Sequence, residues 1–258
     1  MRYNGNMMNN TMTYDFLDGA GQVPAHQHSN GGGWVADSTR VAASAFVGPD
    51  ARVYGNAWVF DNAKVYDNAK VFNKAVISDN AKVYGTAQVY GTAQVYGYAK
   101  VYSNAVVFGN ASVYGYAKVF GYALVFGNAK VYDNAKVFNK AVVSDNAKVS
   151  DNARVYGHTE VFDNAKVYGN AKVFNKAAIS DNAKVYGNAE VFDNAKVYGN
   201  AKVFSNASVY SYAKVFGNAW IFDNAWVFDN VSVFDTASVS SNAVADGPPL
   251  GNTNSIGE

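Results

Sequence analysis

The 258-residue chain sets 21 Lys and Arg against 20 Asp and Glu, and a net charge of +1 by itself implies no nucleic-acid, membrane or acidic partner. Hydrophobic residues make up 49%, yet Leu and Ile are scarce and Val, Ala, Tyr and Phe supply that fraction, a bias that points to a repeat rather than an ordinary globular core. With no Cys, disulfides, zinc-thiolate sites and Cys nucleophiles are excluded, and the redox compartment stays open.

Residues 1–34 are a polar segment that turns glycine-rich toward its end. Its opening, MRYNGNMMNNTMTYDF, lacks the apolar run of a secretion signal, and no stretch reaches the roughly 18 apolar residues of a spanning helix. The expectation is a soluble protein with no membrane span and no standard signal, its location unspecified and export by another route left open. His26 and His28 have the H-x-H spacing that can chelate a metal. Polar segments carry such pairs by chance, and neither a metal nor another cofactor is expected. Trp34 and the residues before it are expected to cover the first coil of the repetitive region that begins at Val35.

From Val35 to Val244 the chain reads as 35 hexads without insertion or deletion. Position one is Val in 32 hexads and Ile at Ile77, Ile179 and Ile221, while position five is Ala in 32. Residues two apart on an extended strand share a face. Position six is Lys in 14 hexads and cannot line a dry interior, so positions six and two point outward. Val and Ala must then point inward through residues 41–240. Positions three and four are Gly, Asp, Asn or Ser followed mostly by Asn, types that accept left-handed backbone angles and cap turns, which places a corner every six residues. Residues 245–258, ADGPPLGNTNSIGE, hold turn formers and are expected to be too polar to cover the last coil well.

The pattern VFDNAK, an aliphatic residue followed four later by a small one with Asn at the bend, resembles the bacterial transferase hexapeptide-repeat superfamily over residues 35–244. The resemblance implies an all-β, left-handed parallel β-helix: a triangular solenoid with three hexads and about 18 residues per coil. At roughly 4.8 Å per rung this gives roughly 12 coils and a rod on the order of 55 Å. A right-handed solenoid with two-sided coils also fits the strand signal alone. The segment GGGWVADSTRVAASAFVGPDARVYGNAWV, residues 31–59, resembles the first coils of bacterial and prophage hexapeptide-repeat proteins, often labelled acyltransferases. Fold does not carry function.

Acyltransferases of that superfamily use a His near a subunit interface, with loops that interrupt the coils. Here the only His of the repeat is His158, at a corner where Asn normally sits, and no loop breaks the register. A base without a walled, water-excluding pocket has little to act with. The three His that hold zinc in the γ-class carbonic anhydrases of this fold are not present in the repeat. Ice-binding solenoids display flat Thr ladders, whereas Thr86, Thr92, Thr159 and Thr236 fall at corners or inside. The reading is a non-enzymatic structural or interaction repeat protein, with a hexapeptide-family acyltransferase and an ice-binding solenoid as alternatives.

Residues 18 apart stack, which sorts the outward positions into three faces. On one, an aromatic column runs unbroken through Tyr66, Tyr84, Tyr102, Phe120, Phe138, Tyr156, Phe174, Phe192, Tyr210 and Phe228. Two residues earlier in each strand runs a file of cations, Lys64, Lys82, Lys100, Lys118, Lys136, Arg154 and Lys172. Asp67 and Asp193 are the corner acids expected along it. On one reading the rings bury each other's faces and the Lys stems cover the edges, stabilising the fold. On the other, the strip binds an extended polysaccharide or polyanion, the rings stacking on the partner, or binds a second copy of the chain. Trp34 and Trp58 in the first coils and Trp220 and Trp226 in the last suit end-to-end stacking into a filament. A module like VFNKAVISDNAK recurs at 71, 137 and 173 with its cation at a corner, Lys74, Lys140 or Lys176, a trace of duplication.

Overall fold

A computed structural model describes residues 12–251 and 255–257. The reading of the first 11 positions, and of tail positions 252–254 and 258, lies outside the described residues.

The chain is an all-β parallel solenoid of about 12 turns, its strands gathered into sheets of 14, 13 and 12 strands. Nearly every strand of the repeat is two residues long, positions six and one of a hexad, and pairs with the strand one turn away. Lys82 and Val83 lie beside Lys100 and Val101, a register of 18 residues that recurs throughout the repeat. The expected parity holds: Val47 through Val227 at position one and Ala45 through Ala225 at position five are 0–1% exposed. Thr159 replaces Ala inside and stays satisfied, its hydroxyl donating to the Tyr156 carbonyl at 2.8 Å. Each Val contributes roughly 1.5 to 3 kcal/mol on burial, so a slender Val and Ala interior is stabilised by its length.

The corners explain the choice of residues at positions three and four. Position three is left-handed, with φ of 57° at Asp61, 56° at Asp133 and 70° at Gly97. Where it is Asp, the carboxylate accepts the backbone N–H one turn on, from Gly97 to Asp79 and from Gly169 to Asp151, both at 2.8 Å. Position four carries amide ladders, in which Asn188, Asn206 and Asn224 each donate to the next Asn at 3.0–3.1 Å. Gly97→Val is expected to cost about 1–2 kcal/mol in thermal or denaturant unfolding, because a β-branched residue is strained at positive φ. Gly97→Asp should cost far less, since Asp133 holds the same column two turns on with φ 56°. Equal losses for the two variants would place the cost elsewhere.

Each end is covered over two of its three sheets; the strand Arg40–Val41 at the first end and Val244–Ala245 at the last have no strand beyond them among the described residues. Strands β1 (Thr13–Asp15) and β2 (Gln22–Gln27) pair antiparallel, and β2 pairs antiparallel with β3 (Trp34–Ala36), extending the 14-stranded sheet beyond the first turn. Phe16, 1% exposed, stacks on Tyr54 at 4.9 Å beside Ala36, and Trp34 stacks on Tyr14 at 4.3 Å. The loop at residues 28–33 closes the first strand of the 12-stranded sheet, Phe46–Val47, through Val47 N–H to Asn30 O at 3.0 Å and Gly33 N–H to Val47 O at 2.9 Å. At the far end the tail departs from expectation. Leu250 bridges Val233, the strand Ser255–Ile256 pairs with Ser238–Val239, and Leu250 and Ile256 pack on the core. Two apolar side chains spaced six apart suffice where average polarity argued against a cover.

Candidate functional site

Position six of the 12-stranded sheet carries the cation file. Lys64, Lys82, Lys100, Lys118, Lys136, Arg154 and Lys172 are successive register partners, and Glu190 follows Lys172. Seven cations at roughly 4.8 Å per rung span roughly 29 Å. Among the described residues the one ion pair along this file is Lys172 Nζ to Glu190 Oε1 at 2.7 Å. The expected corner acids, Asp67 and Asp193, are joined by Asp61, Asp79, Asp133 and Asp151 on the opposite corner, more acid than one corner suggested. None of these is ion-paired, and the carboxylates of Asp61, Asp67, Asp79 and Asp151 are held by backbone N–H groups at 2.8–3.2 Å.

Beside the file stands the aromatic column from Tyr66 to Phe228. Its nine neighbouring pairs have ring centroids 4.8–5.0 Å apart and interplanar angles no larger than 14°. The rings are half-buried, and their faces are spent on one another. A partner meets their rims instead, so stacking of a partner on these faces, expected from the sequence, is not open to the interior members of the column. An aromatic rim carries the positive end of the ring quadrupole, and it favours anions as the adjacent cations do.

Burial raises the phenol pKa of Tyr66, Tyr84, Tyr102, Tyr156 and Tyr210 above the ordinary 10.0. Neighbouring Asp67 raises Tyr84 further, whereas at Tyr156 the Lys172 and Arg154 charges act the other way. A group with a raised folded-state pKa stabilises the fold fully below its unfolded value and loses that contribution as pH rises through the folded value. The rod is therefore expected to lose stability as pH climbs past 10.0, with phenolate absorbance from these rings rising at higher pH than in the unfolded chain. Coincident titration of folded and unfolded protein would contradict this.

On the other flank of the file lies an open groove of about 1010 Å³. Lys64, Lys82, Lys100, Lys118, Lys136 and Arg154 lie along it, and its far wall is Asn62, Asn80, Tyr98, Tyr116, Asn134 and Asn152. Tyr98 and Tyr116, 53% and 60% exposed, stack on each other at 5.0 Å in the middle of that wall. Sequence reasoning missed this wall, although stepping by 18 from Asn62 through position four would have found it. It also missed a second file in the 13-stranded sheet, Lys130, Lys148, Lys166, Lys184 and Lys202, visible by the same step at position six.

The remaining candidates are placed apart from the groove or on its margins. His158 is exposed at the corner beyond the aromatic column, between Lys140 and Lys176 of the neighbouring turns, in a shallow open depression with Asn175 and Asp193. His26 and His28 are not brought together: His26 Nδ1 lies 2.7 Å from Asp37 Oδ1, while His28 is buried with Nδ1 near the Asn30 carbonyl. Among the described residues no three His, Asp or Glu side chains gather as metal ligands, and no helix is long and apolar enough to cross a membrane. The four Trp all occupy position six, on the flanks of the rod rather than across its ends. Trp58 and Trp220, 43% and 44% exposed, carry Arg40 and Lys202 over their rings at 4.7 and 4.3 Å. Trp226 packs edge-on to Tyr210 at 6.5 Å. Compared with known proteins, the chain matches no family model and no curated relative.

Proposed function

We propose that this protein is a non-enzymatic scaffold that binds an extended anionic polysaccharide of the uronic-acid class along the groove of the 12-stranded sheet. The observation that carries the reading is the file of six cations from Lys64 to Arg154, without ion pairs, along an open groove. One rung is comparable to the length of one pyranose ring, so carboxylates borne one per sugar can meet cations borne one per turn. The amides of Asn62, Asn80, Asn134 and Asn152 both donate and accept, as sugar hydroxyls require, and the Tyr98 and Tyr116 phenols offer the same chemistry. This wall favours a sugar over a nucleic acid, which would ask for bare ring faces to stack on.

The coil is inferred to be left-handed and of the hexapeptide-repeat kind. Backbone partners over two of the three sheets at each end leave a single open strand there, which favours a lateral partner over end-to-end stacking. Titration calorimetry with polygalacturonate, dextran, single-stranded DNA and acyl-CoA tests the reading. Polygalacturonate should bind, with an affinity that falls steeply with salt, and dextran should not. Tighter binding of DNA would overturn the sugar class, and acyl-CoA turnover would overturn the scaffold.

A further inference from the structure

We propose that the rod is bivalent: the Lys file of the 13-stranded sheet is a second track for the same class of polyanion, so one molecule joins two polysaccharide chains. The inference rests on the function proposed for the first groove. Lys130, Lys148, Lys166, Lys184 and Lys202 are successive register partners, a run of five cations over roughly 19 Å. None forms an ion pair among the described residues. Lys202 ends the file with its ammonium 4.3 Å from the Trp220 ring centre, which leaves a cation and a large apolar surface together at that end. Four of the five corner acids along this track, all but Asp133, are turned to the backbone: Asp145 accepts Asp163 N–H at 3.4 Å, Asp151 accepts Gly169 N–H at 2.8 Å, Asp163 accepts Asp181 N–H at 3.2 Å, and Asp181 accepts Gly199 N–H at 2.8 Å.

The two files overlap along the axis, since Lys130 precedes Lys136 by one corner and Lys166 precedes Lys172 by one corner. They belong to different sheets, with the corner column of Asn134 and Asn152 between them. A stiff chain lying along one sheet therefore cannot occupy the other. The third sheet breaks its position-six column with Val106, Leu124 and Val142, which limits the valence to two. The chemistry is non-covalent, and avidity is a consequence of geometry: a rod holding two chains makes each later contact intramolecular.

The test uses the whole chain with a galacturonate oligomer as long as the longer file, and with polygalacturonate. Two oligomers should bind per rod, and polygalacturonate should become turbid at intermediate ratios and clear again in excess polymer. The variant Lys148→Gln/Lys166→Gln/Lys184→Gln, its fold checked by circular dichroism, should bind one oligomer and give no turbidity. One oligomer per wild-type rod, unchanged in this variant, would overturn bivalency and leave the first groove standing. No binding to wild type would overturn both.

Discussion

Replacing Lys100, Lys118 and Lys136 together with Gln is expected to weaken polygalacturonate binding to the groove of the 12-stranded sheet about 100-fold at low salt, measured with oligomer on a rod whose second file carries Gln at 148, 166 and 184. Each solvent-accessible cation meeting a carboxylate is worth on the order of 1 kcal/mol, and three such losses give about two decades in affinity. The salt dependence should flatten as well, because fewer counterions are released when fewer cations are matched. Stability should hold or rise slightly, since the three side chains are successive partners that repel one another and none is ion-paired. The neighbouring rings Tyr102, Phe120 and Phe138 stay stacked at 4.8–4.9 Å without them. A loss smaller than about threefold would move the binding away from this file.

Val119→Asp is expected to be the most damaging single substitution of the interior, costing several kcal/mol. Val119 is 0% exposed and lies between Val101 and Val137 of the neighbouring turns. No donor is available there, because the surrounding core is Val and Ala and its backbone groups are spent on the sheet ladders. A carboxylate must either stay ionised without a partner or take up a proton, and both cost heavily. Val119→Ala removes the same contacts without the charge and should cost only about 2 kcal/mol. In a solenoid each turn leans on its two neighbours, so the break should be local, and limited proteolysis should cut near residues 115–122 before the distal turns open. Cooperative loss of the whole rod at once would contradict a nearest-neighbour account.

The strand parity is legible because Lys at position six admits one orientation, and a single unburiable residue type therefore orients the position-one Val and position-five Ala between Val47 and Val227. The 18-residue turn is legible less directly: the six-residue period fixes the corners, while the number of corners per turn came from a family resemblance and agrees with the register of Lys82 on Lys100. The ends were harder to read. Phe16 stacks over Tyr54 from a hairpin outside the repeat, and Leu250 and Ile256 reach the core from a segment whose average composition is polar. Such contacts depend on where a few apolar residues land, which periodicity does not carry. For the groove, position six alone revealed the cations, and the wall from Asn62 to Asn152 emerged only when the corner before each strand was placed beside the strand itself. The Asp corners illustrate the same limit. Asp79, three residues before Lys82, is not among the corner acids expected, and its carboxylate is held by Gly97 N–H at 2.8 Å, one turn further on, rather than by the lysine.

The most direct test of a linear track is the dependence of affinity on ligand length. Galacturonate oligomers of increasing length, titrated at fixed salt against the rod whose second file carries Gln, should gain binding free energy with each added sugar. The gain should stop once the oligomer spans the roughly 24 Å from Lys64 to Arg154. An affinity already at its maximum for the shortest oligomers, or one that shows no dependence on Lys100, Lys118 and Lys136 at any length, would contradict the account.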